Sequence, residues 1–371
     1  MRVLAVTTWF PTPSHPAVGA FVVKDTAAIA GLGHDVQVVH LAPPHQLAPG
    51  DLGRHEAGGL PVTRIAMSTS HPGQIAAAGR EVRELATHAD LVHTMAFSTL
   101  LPTAGWRSPV PWVHTEHWSG LTAPRTLPVA WRLLLPGLTP LLRAPDVVTA
   151  VCDYLADPIR AVRRHRPTHV VPCIVPVPEP VPARPAEDGE TALVGVGALV
   201  EGKDPVLAVE VVHELARRGH PARLTLVGQG ELEGSVRHRA AELGLSDQVV
   251  LTGVLDAEGV RRELASADLF LGPTRGDNFF VSCAEALVAG RPVVVGTGGQ
   301  KEYIDPRVGR TVDRQHVGAY ADAVLDVLET TRGLTAQDIS GTVGRRFSVE
   351  VVADGYQAAY DLAVELHQDA R

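Results

Sequence analysis

Short, uniformly apolar runs recur along the whole chain, each followed by a helix-like segment, and no other feature narrows the fold so far. RVLAVTTW, DVQVVHL, LPVTRIAM, DLVHTMA, PVPWVHTE and DVVTAV mark the first half. TALVGVGAL, ARLTLVGQG, QVVLTGVL, ADLFLGPT and RPVVVGTG mark the second. Between them lie periodic pieces such as AFVVKDTAAIAGLGH, DPVLAVEVVHELARRGH and LEGSVRHRAAELG. Strands apolar on both faces and separated by helices predict parallel sheets covered on both sides. The pattern breaks once, at VVPCIVPVPEPVPARPAEDGE, where proline is too dense for helix or central strand, so the segment reads as an extended hinge. The expectation is an α/β protein of two doubly wound domains facing each other across a cleft. They would span residues 1–185 and 186–348, with 349–371 a helix crossing back to the first.

At 371 residues each domain is long enough for its own core. A net charge of −8 without a Lys/Arg tract excludes an electrostatic nucleic-acid binder. Cys152, Cys173 and Cys283 are far apart and have neither zinc nor disulfide-framework spacing, so they read as free thiols of a reducing cytoplasm. The start, MRVLAVTTWF, reads as a buried strand rather than a signal peptide, and no apolar run reaches transmembrane length. One segment resists the repeating pattern: SGLTAPRTLPVAWRLLLPGLTPLLRAP is apolar, broken by proline and carries three arginines. A helix pair and loop packed beside the cleft is favoured for it over a membrane-surface patch.

In open α/β sheets ligands bind beyond the carboxyl ends of the strands, so the loops that follow strands carry the functional signal. After the first strand a long Pro/Gly loop ends at Gly19 and enters a helix, a place where backbone amides can meet phosphate oxygens. VEGKDP places Lys203 at the mouth of the cleft, and RGDNFF adds Arg275 and Asp277 before a helix that starts near Phe280 and Val281. That helix is apolar nearly all round and yet contains Glu285, whose carboxylate needs a polar partner. WVHTEHWSG puts His114 and Glu116 on one strand face, with His117 opening the loop. Their spacing lacks metal-ligand geometry, and hydrogen bonding to a polar substrate is preferred.

With these residues in view, the chain resembles a retaining glycosyltransferase of family 4, which has the GT-B fold of two Rossmann-like domains. ADLFLGPTRGDNFFVSCAEALVAGRPVVVGTGG carries the resemblance most specifically, supported by GVGALVEGKDP, LTLVGQGELEG, VVLTGVL and HTEHWSG. The resemblance implies that Glu285 binds the ribose hydroxyls of a nucleoside diphosphate sugar, UDP-linked before GDP-linked. It implies that Asp277 stands near the transferred sugar, where the family usually has glutamate. Ala198 replaces a frequent arginine that neutralises the diphosphate, so Arg275 is expected to compensate. Lys203, Arg275, Gly19, Phe280 and Val281 would stabilise the diphosphate. The leaving phosphate would take the acceptor proton, His117 would position sugar and acceptor, and Glu116 would read an acceptor hydroxyl or amine. No metal or cofactor is expected beyond the co-substrate. The favoured acceptor is a small natural product such as an aminoglycoside, with polysaccharide or glycolipid as the alternative. Rivals of another class are a nucleotide-sugar epimerase, a phosphorylase and a nucleotide-sugar-binding protein without turnover.

Overall fold

A computed structural model describes residues 1–15, 18–185 and 189–369. The chain divides into two compact units: Met1–Ile174 with the segment beginning at Val349, and Val175–Ser348. The first unit is built on a sheet of eight strands: β1 (Arg2–Thr7), β2 (Asp35–Ala42), β3 (Gly53–Ala57), β4 (Leu60–Ala66), β5 (Leu91–Met95), β6 (Trp112–Glu116), β7 (Val147–Ala150) and β8 (Thr168–Val170). Their order is β3-β4-β2-β1-β5-β6-β7-β8. The pairings are parallel except at one edge, where β3 runs antiparallel to β4. Strand β3 escaped the sequence pattern because GRHEA is polar and mostly solvent-facing.

The second unit is a six-stranded parallel sheet. Its strands are β9 (Thr191–Val196), β10 (Ala222–Val227), β11 (Val249–Gly253), β12 (Leu269–Gly272), β13 (Val293–Gly296) and β14 (Gly309–Val312), in the order β11-β10-β9-β12-β13-β14. The order reverses at β9, which leaves the crevice beyond the carboxyl ends of β9 and β12 as the switch point where such sheets bind ligands. Helix Pro205–Arg217 buries Leu207, Ala208, Val211, Val212 and Leu215 against β9 and β10 in one apolar cluster. Proline at its first turn donates no N–H there, so the helix start loses nothing.

The helix Val349–Asp369 belongs to the first unit, where Val352, Tyr356, Ala359, Tyr360 and Ala363 enter the same core as Val3, Val38, Leu91 and Val113. The division falls at Ile174 and Val175, inside the proline-rich stretch and upstream of residue 185, so residues 175–185 of that stretch lie in the second unit. Hydrogen bonds hold residues 175–184 to the second unit. Val175 N–H donates to the Phe347 carbonyl at 2.8 Å, and Arg184 donates to the Leu334 carbonyl at 3.1 Å. The wholly buried Arg291 donates to the Ala183 carbonyl at 2.7 Å. Residues 186–188 of the expected hinge, 16–17 of the loop after β1 and 370–371 of the last segment lie outside the described residues.

The arginine-bearing segment after β6 is neither a clean helix pair nor fully packed. It holds 3-10 turns at Ser119–Leu121 and Pro124–Thr126, the helix Val129–Leu138 and a further turn at Thr139–Arg143. Much of its apolar surface is exposed. Among the described residues no helix is long and apolar enough to cross a membrane.

Candidate functional site

In the second unit the loops after β9 and β12 are sewn together by backbone. Arg275 N–H donates to the Gly202 carbonyl at 2.8 Å and the Thr274 hydroxyl donates to the same oxygen at 3.1 Å. This stitching brings Lys203, Arg275 and Asp277 to one place. The Lys203 ammonium is hydrogen-bonded to the Asp277 carboxylate and sits 4.1 Å from the centre of the Phe280 ring. Arg275 pairs with Asp204 at 2.8 Å. Burial raises the Asp204 carboxyl above its ordinary range, against the pull of Arg275. A small pocket of about 30 Å³ opens beside them, bounded by Gly197, Ala198, Lys203, Pro273 and Phe280. The side chains of Lys203 and Asp277 remain 29% and 24% exposed, so each can exchange its partner for a ligand.

Helix Val281–Val288 starts on Phe280, whose φ of 55° is left-handed. Phe280 adopts it because its ring packs over Gly272 and against Phe270, where a larger residue at 272 would collide. Its N–H donates to Asp277 Oδ1 at 3.1 Å, so this amide is already occupied, contrary to the expectation that it faces a phosphate. Val281 is the first helical residue and is half-buried. Glu285, one turn further, is half-buried while Cys283, Ala284, Ala286 and Leu287 around it are buried. It therefore occupies the helix's least covered strip, not its interior. Burial pushes the neighbouring Cys283 thiol up to about 12, which leaves it an inert packing group.

In the first unit Gly19, Glu116 and His117 gather at the carboxyl ends of β1 and β6. Gly19 has φ 71°, and a Cβ there would overlap the Trp9 carbonyl, so the close approach of two backbones by itself demands glycine. Glu116 is wholly buried: Oε1 accepts N–H bonds from His117 at 2.9 Å and Trp118 at 2.8 Å, and Oε2 lies 3.4 Å from His114 Nε2. It braces the loop that carries His117, which corrects its assignment as a reader of the acceptor. His117 stacks near Phe21 at 4.7 Å between ring centres, and burial with the nearby His114 lowers its ring to about 3. The imidazole is thus neutral at physiological pH. Among the described residues no group of three or more His, Cys, Asp or Glu side chains could hold a metal ion.

The sequence reading missed Asp25. Its carboxyl is 1% exposed, with His117 Nε2 3.7 Å from Oδ2. Burial raises it to about 7, opposed by the hydroxyl of Tyr356 beside it. A signal was present: Val22, Asp25, Thr26 and Ile29 share the buried face of helix Ala20–Gly31 at helical spacing, so an acid falls on an apolar stripe. Tyr360, one turn beyond Tyr356, hydrogen-bonds His93 Nδ1 at 2.8 Å, and His93 Nε2 meets Thr115 Oγ1 at 2.6 Å. A buried polar chain thereby ties the last helix to the strands that present His117.

Two α/β units, each on a largely parallel sheet, define the GT-B fold. Residues 20–177 match the family model of Glycosyltransferase Family 4, and residues 190–330 that of Glycosyl transferases group 1. The chain thus carries domains of both glycosyltransferase models. It is 32% identical over 158 residues to the GDP-mannose-dependent alpha-(1-6)-phosphatidylinositol monomannoside mannosyltransferase of Mycolicibacterium smegmatis, covering 40% of this chain and 41% of that one. It is 29% identical over 217 residues to the 2-deoxystreptamine glucosyltransferase of Streptomyces kanamyceticus, covering 53% and 56%. The chain thus spans about half the length of these curated relatives. Sucrose-phosphate synthase from Thermosynechococcus elongatus shares the fold with a TM-score of 0.78 at 18% identity, over 97% of this chain and 98% of that one. HepE of Anabaena, solved with UDP and glucose, matches with a TM-score of 0.75 at 15% identity, over 97% and 99%.

Proposed function

We propose that the protein is a retaining, metal-independent hexosyltransferase that moves a sugar from a nucleoside diphosphate, UDP before GDP, to an acceptor hydroxyl. The observation that carries this reading is the convergence of Lys203, Arg275 and Asp277 beside the pocket beyond β9 and β12. The barrier to such a transfer is charge separation: an oxocarbenium-like sugar parts from a diphosphate. Lys203 turns from Asp277 to the departing diphosphate, and Asp277, released, accepts hydrogen bonds from the sugar. Arg275 adds positive charge in the loop next to Ala198. The half-buried Glu285 accepts from the ribose hydroxyls. The leaving phosphate takes the acceptor proton on the face it vacates, and neutral His117 positions the sugar by hydrogen bonding rather than by charge.

With Glu116 turned inward, no residue singled out from the sequence argues for an amine-bearing acceptor. An aminoglycoside-like acceptor is now supported by the resemblance to the 2-deoxystreptamine enzyme, and a glycolipid acceptor by the resemblance to the phosphatidylinositol monomannoside enzyme. Nucleotide release should therefore be followed for UDP-hexoses and GDP-mannose, each with 2-deoxystreptamine and with phosphatidylinositol lipids, and the anomer of the product read by NMR. Lys203→Ala should lower the turnover rate about 100-fold, the cost of one donor to the developing charge. Arg275→Ala should weaken donor binding about tenfold, and a chelator should change nothing. Donor binding without nucleotide release across the acceptor panel would leave a binding protein, and isomerisation of the donor alone would leave an epimerase.

A further inference from the structure

Helix Val129–Leu138 turns its apolar side outward. Leu133, Val129 and Leu134 are 77%, 67% and 58% exposed, the first two exceeding every other large apolar side chain among the described residues. Only Leu135 of this helix is buried. Its inner face is held by Trp131, edge-on to Trp118 at 6.4 Å, in the loop next to His117. The segment's own charge has one sign. Residues 117–145 contain no Asp or Glu in a chain whose net charge is −8, and they carry Arg125, Arg132 and Arg143, all exposed.

The arginines continue onto the adjoining helix Asp153–Arg163. Arg143 Nε donates to the Val162 carbonyl at 2.8 Å, and Arg163 donates to the Leu142 and Pro145 carbonyls. The exposed Arg164 and Arg166 follow at once. Among the described residues none of Arg125, Arg132, Arg164 and Arg166 has a carboxylate partner, whereas the nearby Asp153 and Asp157 both pair with Arg160. A short helix with protruding leucines, flanked by arginines, has the chemistry of a segment that lies in the headgroup region of a bilayer.

We infer that the first unit docks on an anionic lipid surface through Val129, Leu133 and Leu134, steered by Arg125, Arg132, Arg143, Arg164 and Arg166. This does not depend on which sugar is transferred. The test is co-sedimentation of the full chain with vesicles of equal phosphatidylglycerol and phosphatidylcholine, and with phosphatidylcholine alone. Binding should be at least about tenfold stronger to the anionic vesicles and should be released at about 1 M salt. Leu133→Ser with Leu134→Ser should weaken it about tenfold or more, as losing two inserted side chains requires. Arg125→Glu with Arg132→Glu should do the same without touching the leucines. No sedimentation with anionic vesicles, or sedimentation that both double variants leave unchanged, overturns the inference. A dimer by light scattering that the leucine variant dissociates overturns it too, because a second copy then covers the patch.

Discussion

Replacing Asp25 with asparagine should make the first unit more stable, and by an amount that grows with pH. Asp25 is 1% exposed and its folded carboxyl is raised to about 7 from an unfolded value of 3.8. A raised acid keeps its proton in the native state while the unfolded chain has already lost it. The unfolded state then binds fewer protons, so stability falls as pH rises between the two values and levels off above about 7. At 1.36 kcal/mol per unit the loss is about 4 kcal/mol in all, of which about 3 kcal/mol accrues between about pH 5 and pH 8. Asparagine has the same shape and no proton to lose.

Burial lowers His40, His93 and His117 to about 4, 3 and 3, so each is neutral when folded. The unfolded chain binds their protons below about 6.5, and they make stability rise with pH in that range. That trend is common to wild type and variant and cancels in the difference. All five tryptophans lie in the first unit, so urea unfolding followed by intrinsic fluorescence reports that unit alone. The stability of Asp25→Asn minus that of wild type should grow by about 3 kcal/mol from about pH 5 to pH 8. A difference that stays flat within about 1 kcal/mol over that range would refute the reasoning. It would mean that Asp25 is already ionised in the folded chain at about pH 5, with no proton shared between it and His117, 3.7 Å away.

Two further outcomes follow from the same unit. Glu116→Ala leaves the His117 and Trp118 amides without their acceptor and should cost about 3 kcal/mol or more in unfolding experiments. Its kinetic effect should be equal for amine-bearing and neutral acceptors, since Glu116 holds the loop and does not meet the acceptor. Gly19→Ala forces a methyl group into the Trp9 carbonyl at a left-handed φ and should lower stability by at least about 2 kcal/mol. If that variant melts like wild type, the loop after β1 is looser than its packing indicates.

The repeated apolar strands and amphipathic helices determined the architecture, because burial on both faces of a parallel sheet leaves a one-dimensional trace in the sequence. The loops after β9 and β12 were legible for the same reason: strand ends in such sheets are where polar side chains must gather, and Lys203, Arg275 and Asp277 do gather there. What a carboxylate does, by contrast, depends on which neighbours the folded chain places against it. Glu116 and Asp277 look equally functional in sequence, yet one is consumed by two backbone amides and the other pairs with a partly exposed lysine at a pocket's rim. Only tertiary structure brought Asp25 beside His117, from helices and strands some ninety residues apart, and set Tyr356 of the last helix against them. Only tertiary structure, too, turned Leu133 and Leu134 to the outside. Hydrophobicity records that a side chain avoids water, but the packing of the whole chain decides whether it finds cover.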